Sequence, residues 1–540
     1  MTKTDALKFS VEEYFTNHKI STVDDIRTIS EGVLDVTYEK FDEHNVVCDK
    51  DKKWKLPDTL STSQLALIIR SVFHVKTIRC CKNSNSSNDL LGIYVDDTLV
   101  EFLHGKYEDK KGIYVTDEEI FALIAQEFNF EITDREVDDL VSKMKRNSER
   151  VYRTTDEDLV PVANGIFNYK TKELLPFSPD IVVLTKSQVS YNPNAQLPMI
   201  TMHDGLSWNP EIWMNELSDN PEVVNLLWEI IGAVIRPNVR WNKSAWMVSD
   251  TGNNGKGTLC EMMRQLCGEE TCVSIPLSDF SKNFALEPLI RASAIITDEN
   301  DVGTYIDKCG NLKAIITRDS LSIDRKFKTP VTFEFYGFMV QCLNESPKIK
   351  DKSDSFYRRQ LFIPMTKCFT GSERAYIKND YLHRKDVLEY ILYRVLNMNY
   401  YKLSEPECCK EALDDYKGYN DPVREFWSEV RDKFVWDMLP KAFLYDLYRA
   451  WFEHNCPSGT VQNQSTFLKD LIAATRNDDM WYFCKEDKRV PKGAMSEPEL
   501  LIAEYNLSAP WRGSSTSRDP MKISVPDRLS DHYTNCFIRR

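Results

Sequence analysis

The chain has 540 residues, of which 42% are hydrophobic and 28% charged, and its formal net charge is −14. That length exceeds what one hydrophobic core organises and predicts several folded units, and the lack of any run of ~20 apolar residues excludes a transmembrane helix. The acidic balance excludes a protein coated all over with nucleic acid, so any DNA must meet a local basic patch or a lined channel.

The opening MTKTDALKFSVEEYF carries neither a hydrophobic signal core nor a small-residue cleavage site, so a cytoplasmic protein is expected, with no membrane partner. The 14 cysteines are scattered, with adjacent pairs at Cys80/Cys81 and Cys408/Cys409 and no zinc-ribbon spacing, which predicts reduced packing residues.

Residues 1–105 form a region of unknown role, interrupted by the polar loop KNSNSSND at 82–89. Residues 106–235 read as a largely helical, oligomerising module, in which VTDEEIFALIAQEF starts at a Thr116 cap and TDREVDDLVSKM repeats the arrangement. Inside it, NGIFNYKTKELLPF alternates as a small hairpin, with Asn164-Gly165 ahead of it and Lys170-Thr171-Lys172 at its tip. Residues 236–400 switch to short apolar strands, turns and helices, the texture of an α/β nucleotide-binding core. In 401–510, Leu444, Leu447, Tyr448 and Trp451 share one helix face, Ser465 starts a second helix, and MWYFCKEDKRVPKG reads as a basic-tipped hairpin; together these predict a winged helix, followed by a polar tail at 511–540.

SAWMVSDTGNNGKGTLCEMMRQLCG has the strand, glycine-rich turn and helix that a phosphate loop requires. Leu259, Met262, Met263 and Leu266 define the helix and Gly268 ends it. Backbone N–H groups of Gly252, Asn253, Asn254, Gly255, Lys256, Gly257 and Thr258, at the positive helix end, would cradle phosphate, with the Lys256 side chain nearer the γ-phosphate. Asp250 stands where the first glycine of G-x-x-x-x-G-K-[ST] belongs, and Gly257 takes the hydroxyl slot, leaving Thr258 to reach Mg²⁺. The K-G-T ending also resembles nucleotide kinases.

Downstream, the apolar strand Ala294-Ile295-Ile296 leads into Asp298 and Glu299, a Walker B pattern in which Asp298 would hold Mg²⁺ and Glu299 would orient the attacking water. Strand 338–343 ends at Asn344, whose amide can bond both water and γ-phosphate. Arg358 and Arg359 precede LFIP, where one of them could serve as an arginine finger in a neighbouring subunit; the alternative is a surface pairing with Asp351 or Asp354. Between these motifs, TRDSLSIDRKFKTPVTFEF predicts a hairpin whose tip offers Arg325, Lys326 and Lys328, with Phe327 among them, to a DNA backbone.

The ordered set GNNGKGT, ITDE, RKFK, LNESP and YRRQLFIP resembles superfamily 3 helicases of the AAA+ class, and more closely the phage and poxvirus-type primase-helicases of mobile genetic elements. The resemblance covers roughly residues 110–500 and implies a multidomain α/β chain: an AAA+ P-loop ATPase core between a helical N-terminal module and a C-terminal winged helix. It implies catalysis by Lys256, Asp298, Glu299, Asn344 and Arg358 or Arg359, metal binding by Thr258 and Asp298, and ATP with Mg²⁺ at the site. Implied partners are single-stranded and forked DNA, gripped chiefly through Lys326, and further copies of the chain in a hexameric ring, with loading or primase partners in a bacterial host cell. No D-x-D or zinc-ribbon arrangement assigns priming to residues 1–105. The alternative is an origin-binding initiator or ATP switch, in which Thr466, Lys469, Lys485, Lys488, Arg489 and Lys492 would read duplex DNA.

Overall fold

The structure, a computed structural model, describes residues 1–79, 81, 89–326, 328–371, 373–455, 461–476, 478–489, 495, 497–507, 511, 519 and 533–540, and of 328, 329, 486–489, 533 and 534 the backbone alone. All but Asp89 of the expected 82–89 loop falls outside these residues, as does Lys492. The chain divides into two units, Met1–Lys410 and Glu411–Arg540. Among the described residues no helix is long and apolar enough to cross a membrane.

The first unit opens with three helices, Lys3–Asn17, Val23–Val47 and Thr62–Val72, each started by a capping box: Thr2 with Asp5, Thr22 with Asp25, Ser61 with Gln64. They pack with Glu118–Phe128 and Asp134–Asn147 around one core that runs from Val11 to Met144. That core crosses the boundary expected near residue 105, because the helices on both sides bury their apolar faces against each other. A sheet in the order Tyr114–Val115, Leu90–Tyr94, Val75–Arg79, Glu149–Tyr152 completes the region. The cap of Glu118–Phe128 is Asp117, one residue beyond the expected Thr116, since the Asp117 carboxylate accepts from the Glu119 N–H. After residue 148 the helical reading gives way to short strands, Leu159–Val162, Gly165–Asn168 and Glu173–Leu175, and helices resume only at Pro210–Glu216 and Pro221–Val234. The last two strands are the expected hairpin, with Lys172 at φ 62° in its turn.

The α/β part is a five-stranded parallel sheet in the order Cys272–Val273, Ala294–Thr297, Phe338–Leu343, Ser244–Val248, Gln360–Pro364. The earliest of these strands lies between the two latest, so the chain changes direction of winding at Ser244–Val248. Ligands of open α/β sheets bind outside the carboxyl ends of strands at such a switch point. Gly337 permits the close pairing of Phe338–Leu343, because a Cβ there would lie 2.2 Å from the Ser293 carbonyl oxygen. The core of this part extends to Cys409, and Ser404 bonds Glu229 through N–H and hydroxyl. Residues 401–410 therefore belong with the first unit, and the boundary expected after residue 400 falls after Lys410.

The second unit runs from the end of helix Glu407–Asn420 through helix Pro422–Val430, strand Met438–Pro440, helices Lys441–Asn455 and Gln464–Ala474, strand Trp481–Arg489, the short helix Leu500–Glu504 and strand Tyr533–Arg539. Leu444, Leu447, Tyr448 and Trp451 are all buried, as their spacing predicts. Asn463, two residues before the expected Ser465, caps Gln464–Ala474 by accepting from Thr466 N–H. The larger correction concerns the tail. Among the described residues of that run, Trp481–Arg489 is one continuous strand, and it pairs antiparallel with Tyr533–Arg539, Trp481 opposite Arg539 and Arg489 opposite Tyr533. Residues 533–539, expected in a polar tail, form the middle strand of a three-stranded sheet because Cys536 and Phe537 are fully buried in the unit's core.

Candidate nucleotide-binding site

The expected phosphate loop leaves strand Ser244–Val248 and enters helix Lys256–Cys267, which Gly268 ends at φ 93°. Gly255 sits at φ 85°, a conformation that a side chain rarely adopts, and a Cβ there would also meet Leu217 at 2.5 Å. Asn254 braces the turn, donating to the Thr251 carbonyl (2.5 Å) and accepting from Lys256 N–H (3.3 Å). A Cβ on Gly252 would meet nothing within 4 Å, and on Gly257 only Lys378 Nζ at 3.9 Å, so the backbone on this side of the loop is open. Asp250 is exposed at the rim.

Lys256 is 6% exposed, and its ammonium donates to the Leu343 carbonyl (3.2 Å) and to Asn344 Oδ1 (3.0 Å). Burial lowers its pKa. The structure thus brings together two residues that the sequence places 88 positions apart. Four residues along the helix, the Cys260 thiol lies 3.4 Å from Cys342 Sγ on the same strand. Four further on, Arg264 donates to both oxygens of Asp298, 3.0 Å through Nη1 to Oδ2 and through Nη2 to Oδ1, and to the Ile296 carbonyl at 3.2 Å. Asp298 follows strand Ala294–Thr297 directly, and Glu299 beside it is exposed. Asn300 holds this strand end to the next, donating to Gln341 Oε1 and the Cys342 carbonyl, both at 3.0 Å.

Beside the loop lies a cleft of about 210 Å³ lined by Asn253, Gly255 and Thr258, with Trp213, Phe369 and Ile377 as apolar walls and Glu373 and Lys378 among its polar groups. The 367–378 segment is tied to the loop: Phe369 N–H donates to the Asn253 carbonyl (2.7 Å), and Asn253 Nδ2 to Glu373 Oε1 (2.9 Å). Arg374 pairs with Glu216 on the helix that carries Trp213. The exposed side of the loop thus borders a cleft with aromatic and polar walls. None of the cleft residues outside the loop stands in a recognisable motif; only the aromatic-and-basic run of 369–378 signals it.

The remaining expected residues lie elsewhere. Arg358 and Arg359 precede strand Gln360–Pro364, in register with Ser244–Val248, so they sit at the amino end of the sheet, about 13 Å of strand rise below the loop. Arg358 is exposed, whereas Arg359 Nη1 donates to Ser355 Oγ at 2.7 Å. Neither takes Asp351, which pairs with Lys313 at 2.6 Å. The expected hairpin forms from Leu321–Arg325 and Lys328–Phe333, with Arg325 opposite Lys328. Its tip rests on Glu287, which accepts from Lys326 N–H (3.2 Å) and faces Arg325 Nε at 3.9 Å. Phe327 and the Lys328 side chain lie outside the described residues, as do the side chains of Lys488 and Arg489; Lys485 is exposed.

Three segments match known families. Residues 94–213 match the family described as D5 N terminal like, and residues 419–506 the one described as Poxvirus D5 protein-like. In those two segments the chain is D5-like. Residues 247–359, which hold most of the site, match a family of unknown function, DUF5906. Among solved structures, the A form apo structure of the NrS-1 C terminal region is 12% identical, covering 76% of this chain and 85% of that one, with a TM-score of 0.36. The A form of NrS-1 CTR(305-718) is likewise 12% identical, covering 89% and 100%, with a TM-score of 0.39. No curated protein matches the chain.

Proposed function

We propose that the chain is an ATP-driven DNA helicase of the AAA+ superfamily 3 type, acting as a ring of identical subunits on single-stranded and forked DNA. The observation that carries this reading is the meeting of Lys256 and Asn344 at the carboxyl end of the parallel sheet, beside an open glycine-rich loop. Lys256 neutralises the terminal phosphates, Asn344 registers their presence by exchanging its bond to Lys256, and Glu299 orients the attacking water. Thr258 and Asp298 are the residues that would hold Mg²⁺, whose chemistry is to neutralise phosphate charge. The neighbouring cleft takes the nucleoside, with Trp213 and Phe369 as stacking walls.

Arg358 and Arg359 lie too far below their own loop to serve it, which favours a role in the next subunit's site and hence a ring. Arg325, Lys326 and Lys328 at the hairpin tip contact the DNA backbone. The D5-like segments support a replication enzyme. The helix, strand, helix, helix, strand, helix, strand order from Pro422 onward, with its two last strands paired, supports a winged helix whose Lys485, Lys488 and Arg489 touch DNA.

The test is displacement of a labelled strand from a forked duplex with a 3′ tail, with ATP and Mg²⁺. Displacement by the wild type and none by Lys256→Ala is the expected result. DNA-stimulated hydrolysis with no displacement by the wild type would overturn the helicase reading in favour of an initiator or ATP switch.

A further inference from the structure

One face of helix Lys256–Cys267 repeats every fourth residue: Lys256 meets Leu343 and Asn344, Cys260 meets Cys342, and Arg264 meets Ile296 and Asp298. Residues four apart stack along one helix face, so these three side chains form a column from the phosphate loop down to the third turn. Arg264 stands about 12 Å along the axis from Lys256. Its guanidinium takes both oxygens of Asp298 in a two-pronged pairing, the geometry in which arginine fixes a carboxylate most firmly. Its further bond to the Ile296 carbonyl clamps it to the strand itself. Both groups are mostly covered, 23% and 29% exposed, so solvent screens the pair less than it would a surface bridge.

We infer that Arg264 is a positioning residue that locks Asp298 against the third turn of the helix and neutralises it, so that the loop can take a nucleotide's phosphates without a divalent cation to mask that carboxylate. The inference rests on the nucleotide reading of the site. Two expectations follow from charge. With the lock present, nucleotide phosphates entering the loop meet a neutralised Asp298, so binding depends little on a divalent cation. With the lock removed, the bare carboxylate repels the phosphates unless a cation stands between them.

The experiment is equilibrium binding of a fluorescent ATP analogue to the full chain, in EDTA and in Mg²⁺, for the wild type, Arg264→Gln, Asp298→Asn and the double variant. Arg264→Gln is expected to weaken binding in EDTA by about tenfold and binding in Mg²⁺ by less than about threefold, and adding Asp298→Asn should restore EDTA binding to within about twofold of the wild type. A merely structural arginine would weaken both conditions alike, with no rescue by Asp298→Asn, and that result overturns the proposal. So does unchanged binding in Arg264→Gln. A wild type that binds no nucleotide in either condition would instead overturn the nucleotide reading.

Discussion

Lys256→Ala is expected to lower ATP hydrolysis by at least about 100-fold, the usual cost of deleting one group aimed at developing phosphate charge. The size of the effect follows from its setting. The ammonium is buried, and its two protein partners are a neutral carbonyl and a neutral amide. No carboxylate competes in those bonds, so a phosphate is the stronger acceptor and draws the lysine off Asn344. Steady-state phosphate release, measured with saturating DNA, checks this. A variant that retains a tenth of the wild-type rate would sink the assignment of Lys256.

Replacing Arg358 and Arg359 together with alanine is expected to reduce hydrolysis by about 10³-fold, the lower range for an arginine that stabilises transferring phosphate. Nucleotide binding should stay near wild type, because both residues sit at the other end of the sheet from the loop. Of the two, Arg358 is expected to give the larger loss when replaced singly, since Arg359 is engaged by Ser355 while Arg358 is exposed. Mixing the double variant with Lys256→Ala should restore part of the activity that neither has alone, since one of the two kinds of mixed interface joins an intact loop to an intact finger. Absence of any recovery across mixing ratios contradicts a finger acting between subunits.

The parts of the site that the sequence made legible are those built by local pattern. Leu259, Met262, Met263 and Leu266 mark a helix that ends at Gly268 because apolar spacing and a glycine stop are properties of one short stretch. Strand Phe338–Leu343 and the hairpin from Leu321 to Phe333 are legible for the same reason. What was hidden depends on distant partners. Tyr533–Arg539 finds its place beside Trp481–Arg489 across an intervening stretch whose composition suggests only a tail. The core from Val11 to Met144 joins helices on both sides of residue 105, where composition changes but packing does not. Arg264 was visible only as a helix arginine; its meaning comes from Asp298, 34 residues away in sequence. The caps at Asp117 and Asn463 were missed because several side chains near each helix start could accept the same N–H.

The central claim is that residues 250–258 and the adjoining 367–378 segment together bind a nucleoside triphosphate. Amide hydrogen exchange on the full chain, with and without a non-hydrolysable ATP analogue and Mg²⁺, tests it most directly. Slowed exchange confined to peptides covering 250–258 and 367–378, and absent in Lys256→Ala, is the predicted result. Unchanged exchange in both segments at saturating analogue, or protection appearing elsewhere in the chain, would contradict it.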